Sequence, residues 1–129
     1  MILDSTFIHD ILQDDPAATA RLNDLVEARD PVALSTLTVF EVGVGLRGDA
    51  EQYRSQFHSV VDELETVALG DAQAQAALDI QRSLYDRGEP IGAVDVLIAG
   101  TATTREDSCV LTRNVGEFER VNAIDVETY

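Results

Sequence analysis

Apolar residues recur along this chain as short runs alternating with helical stripes. Met1-Ile2-Leu3-Asp4 is a short apolar run closed by an acid, and it reads as a strand. Ser5 to Gln13 follows as a helix, with Phe7, Ile8, Ile11 and Leu12 on one face. Asp15-Pro16 supplies an N-cap and a proline at the first helical position, and that helix runs to about Ala28 before Asp30-Pro31 breaks it. Val32 to Ser35 is a second strand, and a helix from about Thr36 to Leu46 ends at Gly48. Gly43 and Gly45 inside it each cost roughly 1 kcal/mol against alanine, which points to a close backbone approach by another element.

The second half repeats the alternation. Ala50 to Glu63 reads as a helix with Tyr53, Phe57, Val60, Val61 and Leu64 along one side, and Glu65 to Leu69 as a strand. Asp71 to Arg87 is a long helix whose face is Ala74, Ala77, Leu78, Gln81, Leu84 and Tyr85, with Gly88 as its stop. The helix over Ile91 to about Glu106 carries a stripe of Val94, Leu97, Ile98, Thr101 and Ala102, with Asp95 beside it in the first turn. A carboxylate there is poorly hydrated and needs a cation, a donor or the helix dipole. Ser108 to Leu111 is a strand, Thr112 to Phe118 a turn or short helix, and Asn122 to Val126 an edge strand. The pattern predicts a single-domain α/β fold, a three-layer sandwich with a mostly parallel, about five-stranded sheet. Its crossover helices start at the carboxyl edge of the sheet, where such folds bind ligands.

Charge narrows the picture. The formal net charge is −15, and all nine basic residues are arginine. Such a surface repels itself at low salt and is relieved at molar salt, where the Debye length is about 3 Å. The expectation is a cytoplasmic protein of a salt-adapted organism, without a signal peptide or a membrane span. The missing lysine excludes a Walker A loop, a phosphoaspartate receiver and a haloacid-dehalogenase-type phosphatase in their usual forms. The one cysteine, Cys109, lies in an apolar run and reads as core. His9 and His58 are isolated and read as solvated helix positions, so no zinc cluster exists.

Placed on the predicted fold, acids and amides from four segments reach one sheet edge: Asp4, Glu41, Asp95, and the pair Asn114 and Glu117. Hard divalent cations suit this set, because Mg²⁺ or Mn²⁺ takes oxygen ligands and keeps several waters. Without an ion the acids would repel and raise one another's pKa values. Each acid has a second reading. Asp4 could cap the helix at Ser5, and Thr38-x-x-Glu41 matches a capping box. Asp95 could serve only the helix dipole, and Glu117 could be a surface acid.

Four blocks carry a resemblance to a known family: Leu3-Asp4-Ser5-Thr6, Glu41 to Leu46, Ile91 to Ala99, and Leu111 to Phe118. In this order they resemble the PIN-domain nucleases, most closely the VapC-type toxin ribonucleases of toxin–antitoxin pairs. The resemblance implies that Asp4, Glu41 and Asp95 bind Mg²⁺ or Mn²⁺. It leaves the fourth position to Asn114 or Glu117, with Glu117 counted among the catalytic acids. It also implies that Thr6 and Thr112 orient waters or carboxylates. Arg113, beside the site, reads separately as a phosphate contact, an edge ion pair being the other role. The implied reaction is metal-dependent hydrolysis of RNA by a metal-activated water, leaving a 5′-phosphate and a 3′-hydroxyl. The implied partners are RNA, a second copy in a homodimer and a cognate antitoxin with a DNA-binding end. A housekeeping PIN nuclease in RNA maturation and a non-catalytic acidic binding module are the alternatives.

Overall fold

The computed structural model describes residues 1–129. Its sheet is built from β1 (Ile2–Leu3), β2 (Ala33–Ser35), β3 (Glu65–Val67), β4 (Cys109–Leu111) and β5 (Asp125–Glu127). The spatial order is β3-β2-β1-β4-β5, and every neighbouring pair is parallel. The helices are α1 (Ser5–Leu12), α2 (Pro16–Ala28), α3 (Thr36–Gly45), α4 (Arg54–Glu63), α5 (Asp71–Asp86), α6 (Ala93–Thr103) and α7 (Val115–Phe118). The α/β sandwich and the parallel five-stranded sheet are as expected. No helix is long and apolar enough to cross a membrane.

Strand residues alternate between two cores, as the period of two requires. Leu3, Leu34, Cys109 and Leu111 face one side, against Phe7, Ile8 and Leu12 of α1, Leu25 of α2 and Phe57 of α4. Ile2, Ala33 and Val110 face the other, against Ala77 and Leu84 of α5, the buried residues of α6, and Phe118 of α7. The Asp15-Pro16 start of α2 forms as its chemistry demands, the Asp15 carboxylate accepting the Ala18 N–H at 3.0 Å.

Several local expectations are corrected. The segment read as one helix from Ala50 opens as a 3-10 turn over Gly48–Tyr53, and α4 proper begins at Arg54. The face of α5 is rotated: Ala77 and Leu84 are buried, whereas Leu78 and Tyr85 are exposed. The buried surface of α6 is wider than one stripe, with Val96, Ile98, Ala99, Gly100, Thr101 and Ala102 all inside. A helix clamped between a sheet and another helix hides most of its circumference.

The close approach expected at Gly43 and Gly45 lies elsewhere. A Cβ on Gly43 would meet only the Phe57 ring at an ordinary 3.4 Å, and one on Gly45 would sit 3.9 Å from His9 Cε1. At Gly100 a Cβ would fall 2.6 Å from the Ala77 backbone nitrogen and 2.7 Å from the Gln73 carbonyl oxygen. The crossing of α5 over α6 therefore depends on that glycine, and through it so does the seat of Asp95.

Candidate metal centre

Asp4 leaves the carboxyl end of β1 and is buried at 3% exposure. Its N–H donates to the Leu111 carbonyl of β4 at 3.0 Å, so the backbone fixes it between two central strands. A carboxylate so deep requires donors. The Thr112 hydroxyl donates to Asp4 Oδ2 at 2.8 Å, and the Thr6 hydroxyl does so at 3.1 Å. Backbone N–H groups hold both threonines in turn, Arg113 donating to Thr6 Oγ1 at 3.1 Å and Asn114 to Thr112 Oγ1 at 3.0 Å. Both hydroxyl contacts to Asp4 fall on Oδ2. Although Asp4 stands at the N-cap position of α1, its side chain makes no capping hydrogen bond. The carboxylate is held for something other than the helix end.

Glu41 is likewise no cap. Helix α3 starts at Thr36 with the Ser35 hydroxyl accepting the Leu37 N–H at 3.2 Å, so Thr38 is interior and the capping box does not form. Burial and the charge of Asp4 push the Glu41 carboxyl upward, with Ser5 and His9 pulling it partly back. Asp95 sits in the first turn of α6. Burial first, then a hydrogen bond with Glu117 and the charges of Glu117, Asp4 and Glu41, raise its pKa to about 7. Glu117 moves the opposite way, held low chiefly by the hydrogen bond from Asp95. Below about pH 7 a proton between the two is favoured on Asp95, the more buried partner.

The two carboxylates flank Gly92, whose N–H also donates to Glu117 Oε2 at 3.4 Å. A Cβ on Gly92 would approach Glu117 Oε2 at 3.6 Å and Asp95 Oδ2 at 3.7 Å. Glu117, the surface acid of one sequence reading, is thus drawn to Asp95, while the Asn114 side chain makes no hydrogen bond and does not cap α7. Asp4, Glu41, Asp95 and Glu117 share one electrostatic neighbourhood.

No three His, Cys, Asp or Glu side chains form a ready-made cage for an ion. An open, all-oxygen arrangement suits Mg²⁺ or Mn²⁺, which keep several waters and need only one or two direct carboxylates. Mutual repulsion among the acids supplies the reason for a cation to be drawn in. The residues present fit such an ion.

The linkage has a definite sign. Asp95 is raised in the fold, so between the ordinary carboxylate range and about pH 7 the folded chain keeps a proton that the unfolded chain has released. Stability of the metal-free protein is therefore expected to fall as pH rises through that window and to level off above it. Denaturant unfolding in EDTA and molar KCl at pH 5 to 8 measures this, and added Mn²⁺ is expected to flatten the slope. The lowered Glu117 acts oppositely, with stability lost as pH falls through its depressed pKa.

One residue occupies a place the sequence did not foresee, and for another the structure selects between two readings. His9, read as a solvated helix position, is half-buried and faces Glu41 and Gly45. Its spacing from Thr6, i to i+3 on α1, was the available signal. Of the two roles open to Arg113, the structure adopts the ion pair: its guanidinium binds Asp15 at 3.1 Å and Asp10 at 3.2 Å. It also lies 4.7 Å over the Tyr129 ring. Thr6, His9, Asp10, Arg113 and Asn114 line a depression of about 410 Å³, and none of them is a hydrophobic residue.

The fold and site together define a class: a parallel α/β sheet that gathers acids from separate segments at its carboxyl edge. Residues 1–124 match the PIN domain. Ribonuclease VapC19 of Mycobacterium tuberculosis is 33% identical over 118 residues, covering 91% of this chain and 90% of that protein. The tRNA(fMet)-specific endonuclease VapC of Shigella flexneri is 25% identical over 99% of this chain and 96% of its own. Among solved structures, VapBC2 of Rickettsia felis bound to a promoter DNA fragment superposes with a TM-score of 0.85 at 23% identity, covering 99% of this chain and 97% of that one. The chain belongs to the PIN-domain family, whose VapC nucleases are generally dependent on divalent metal.

Proposed function

We propose that this protein is an endoribonuclease that hydrolyses RNA phosphodiester bonds with Mg²⁺ or Mn²⁺ and acts as the toxin of a toxin–antitoxin pair. The observation that carries the reading is the gathering of Asp4, Glu41, Asp95 and Glu117 at one edge, with Asp4 braced by two threonines and serving no cap. A module whose acids merely finish helices would not leave Asp4 and Glu41 free of capping bonds.

Asp4, Asp95 and Glu41 would hold the ion, and Glu117 takes the fourth position in preference to Asn114. A bound divalent ion supplies a water of lowered pKa and offsets charge developing on the phosphoryl group. The chain's own residues do the rest. Thr6 and Thr112 fix the direction of the Asp4 carboxylate, and Glu117 receives a hydrogen bond from Asp95 while that acid is protonated. The partners are an RNA and a cognate antitoxin protein, consistent with the Rickettsia felis relative, a VapBC complex on promoter DNA. A homodimer is part of the same proposal.

Titration calorimetry with Mn²⁺ at pH 8, alongside cleavage of RNA, tests the reading. A site that binds Mn²⁺ and disappears in Asp95→Asn supports it, and no binding by wild type would leave only an acidic fold.

Salt provides a further expectation. At a net charge of −15 the chain gains little from counterion release, the term that makes ordinary nucleic-acid binding fade as salt rises. Cleavage is therefore expected to persist in molar KCl, and refolding to be incomplete at low ionic strength. Activity lost above about 0.2 M KCl, or full stability without added salt, would contradict this.

A further inference from the structure

The polar depression beside the acids has a composition that the hydrolytic residues do not explain. It is walled by Thr6, His9 and Asp10 of α1 and by Arg113 and Asn114 of the β4–α7 loop. It adjoins the carboxylates through Thr6, whose hydroxyl reaches Asp4. A polyanion entering here needs donors that the protein has not already used.

Most of the candidates are committed. The Arg113 guanidinium is divided between Asp10 and Asp15. The Thr6 hydroxyl donates to Asp4 and receives the Arg113 N–H. Asp10, the one carboxylate on the wall, is occupied by Arg113 and by the Tyr129 hydroxyl, which donates to Oδ2 at 2.7 Å. An acid engaged in this way repels a phosphate less than a bare one. His9 differs, because its imidazole makes no hydrogen bond or ion pair within the protein. One edge of the ring faces Gly45, where an added Cβ would come within an ordinary 3.9 Å of Cε1.

We propose that this depression receives the sugar–phosphate backbone adjoining the scissile bond of the RNA, with a His9 ring N–H donating to a phosphate oxygen. The inference rests on the nuclease reading and adds a backbone subsite to it. In this role His9 is a binding residue, and it contributes to KM more than to kcat. Asn114, whose side chain also lacks a partner, is a second donor on the same wall.

The test is steady-state cleavage of a 5′-labelled tRNA pool in Mn²⁺ by wild type, His9→Leu, His9→Gln and Asp95→Asn, with a melting curve for each. His9→Leu is expected to raise KM about tenfold, the worth of one good hydrogen bond to a charged group, with kcat within about twofold. His9→Gln keeps an N–H donor and is expected to recover most of the loss. If the leucine variant melts early, the glutamine variant decides, since its shape and polarity are closer to histidine. A KM unchanged in His9→Leu, a fall in kcat alone, or a glutamine variant no better than leucine would overturn the subsite while leaving the nuclease intact. Wild type that cuts nothing, or Asp95→Asn that cuts normally, would instead sink the nuclease reading itself.

Discussion

Asp95→Asn is expected to slow RNA cleavage by about 100-fold or more and, in metal-free buffer at pH 8, to make the protein more stable than wild type. The two effects have one cause. Asp95 is half-buried among the charges of Glu117, Asp4 and Glu41, and ionising it there costs free energy that the unfolded chain does not meet. An amide of the same shape removes that cost and can still donate to Glu117. It also removes a charge that would hold the cation, so metal binding and hydrolysis go together. Comparing unfolding in EDTA at pH 5 and pH 8 separates the contributions: the variant should lack the part of the pH slope that belongs to Asp95. A variant that cleaves RNA at the wild-type rate would show that the gathered acids are not the working site.

Gly100→Ala is expected to destabilise the fold by about 2 kcal/mol, despite alanine's advantage in a helix. Two effects compete. Alanine is better than glycine in a helix interior by up to about 1 kcal/mol. Against that, overpacking typically costs about 1–3 kcal/mol. Here the new methyl would fall 2.6 Å from the Ala77 backbone nitrogen and 2.8 Å from its Cβ, so an entire helix must move rather than a flexible side chain. Overpacking wins. Because α6 also carries Asp95, the displacement should weaken Mn²⁺ binding as well. Chemical denaturation and Mn²⁺ titration of the same variant measure both; a stability equal to or above wild type would mean that the two helices separate at little cost.

The α6 segment shows how far the linear reading reached. Its helix and the awkward position of Asp95 are legible, because a helical stripe with one acid in the first turn is a local pattern; the start at Ala93 lies two residues beyond the Ile91 read from the pattern. Its partner across the crossing is not legible. Gly43 and Gly45 attracted attention as two glycines in one helix, yet only Gly100 meets a neighbouring backbone, and nothing local to residue 100 announces Ala77. Thr38-x-x-Glu41 matched a capping box in spacing alone, and the hydroxyl of Ser35, three residues earlier, caps the helix instead. Glu117 and Asp95 are 22 positions apart, so their shared proton depends on where α7 comes to rest. His9 reads as solvated from the sequence because the residues it faces, Glu41 and Gly45, lie on another helix.

What the chain determines by itself is what repeats within a few residues: seven helices, five short strands, the alternation of Ile2 and Leu3 into opposite cores, and the Asp15-Pro16 start of α2. Those features follow from backbone periodicity and capping chemistry, which act over one or two turns. The bracing of Asp4 by Thr6 and Thr112 is legible only through the family resemblance, since Thr112 lies 108 positions from Asp4. The tertiary structure alone decided which acids become neighbours, which arginine donors are consumed and which histidine is left with a free hydrogen bond. Burial and Coulomb interactions depend on distance through space, and parallel strand pairing brings residues of distant sequence number to the same edge.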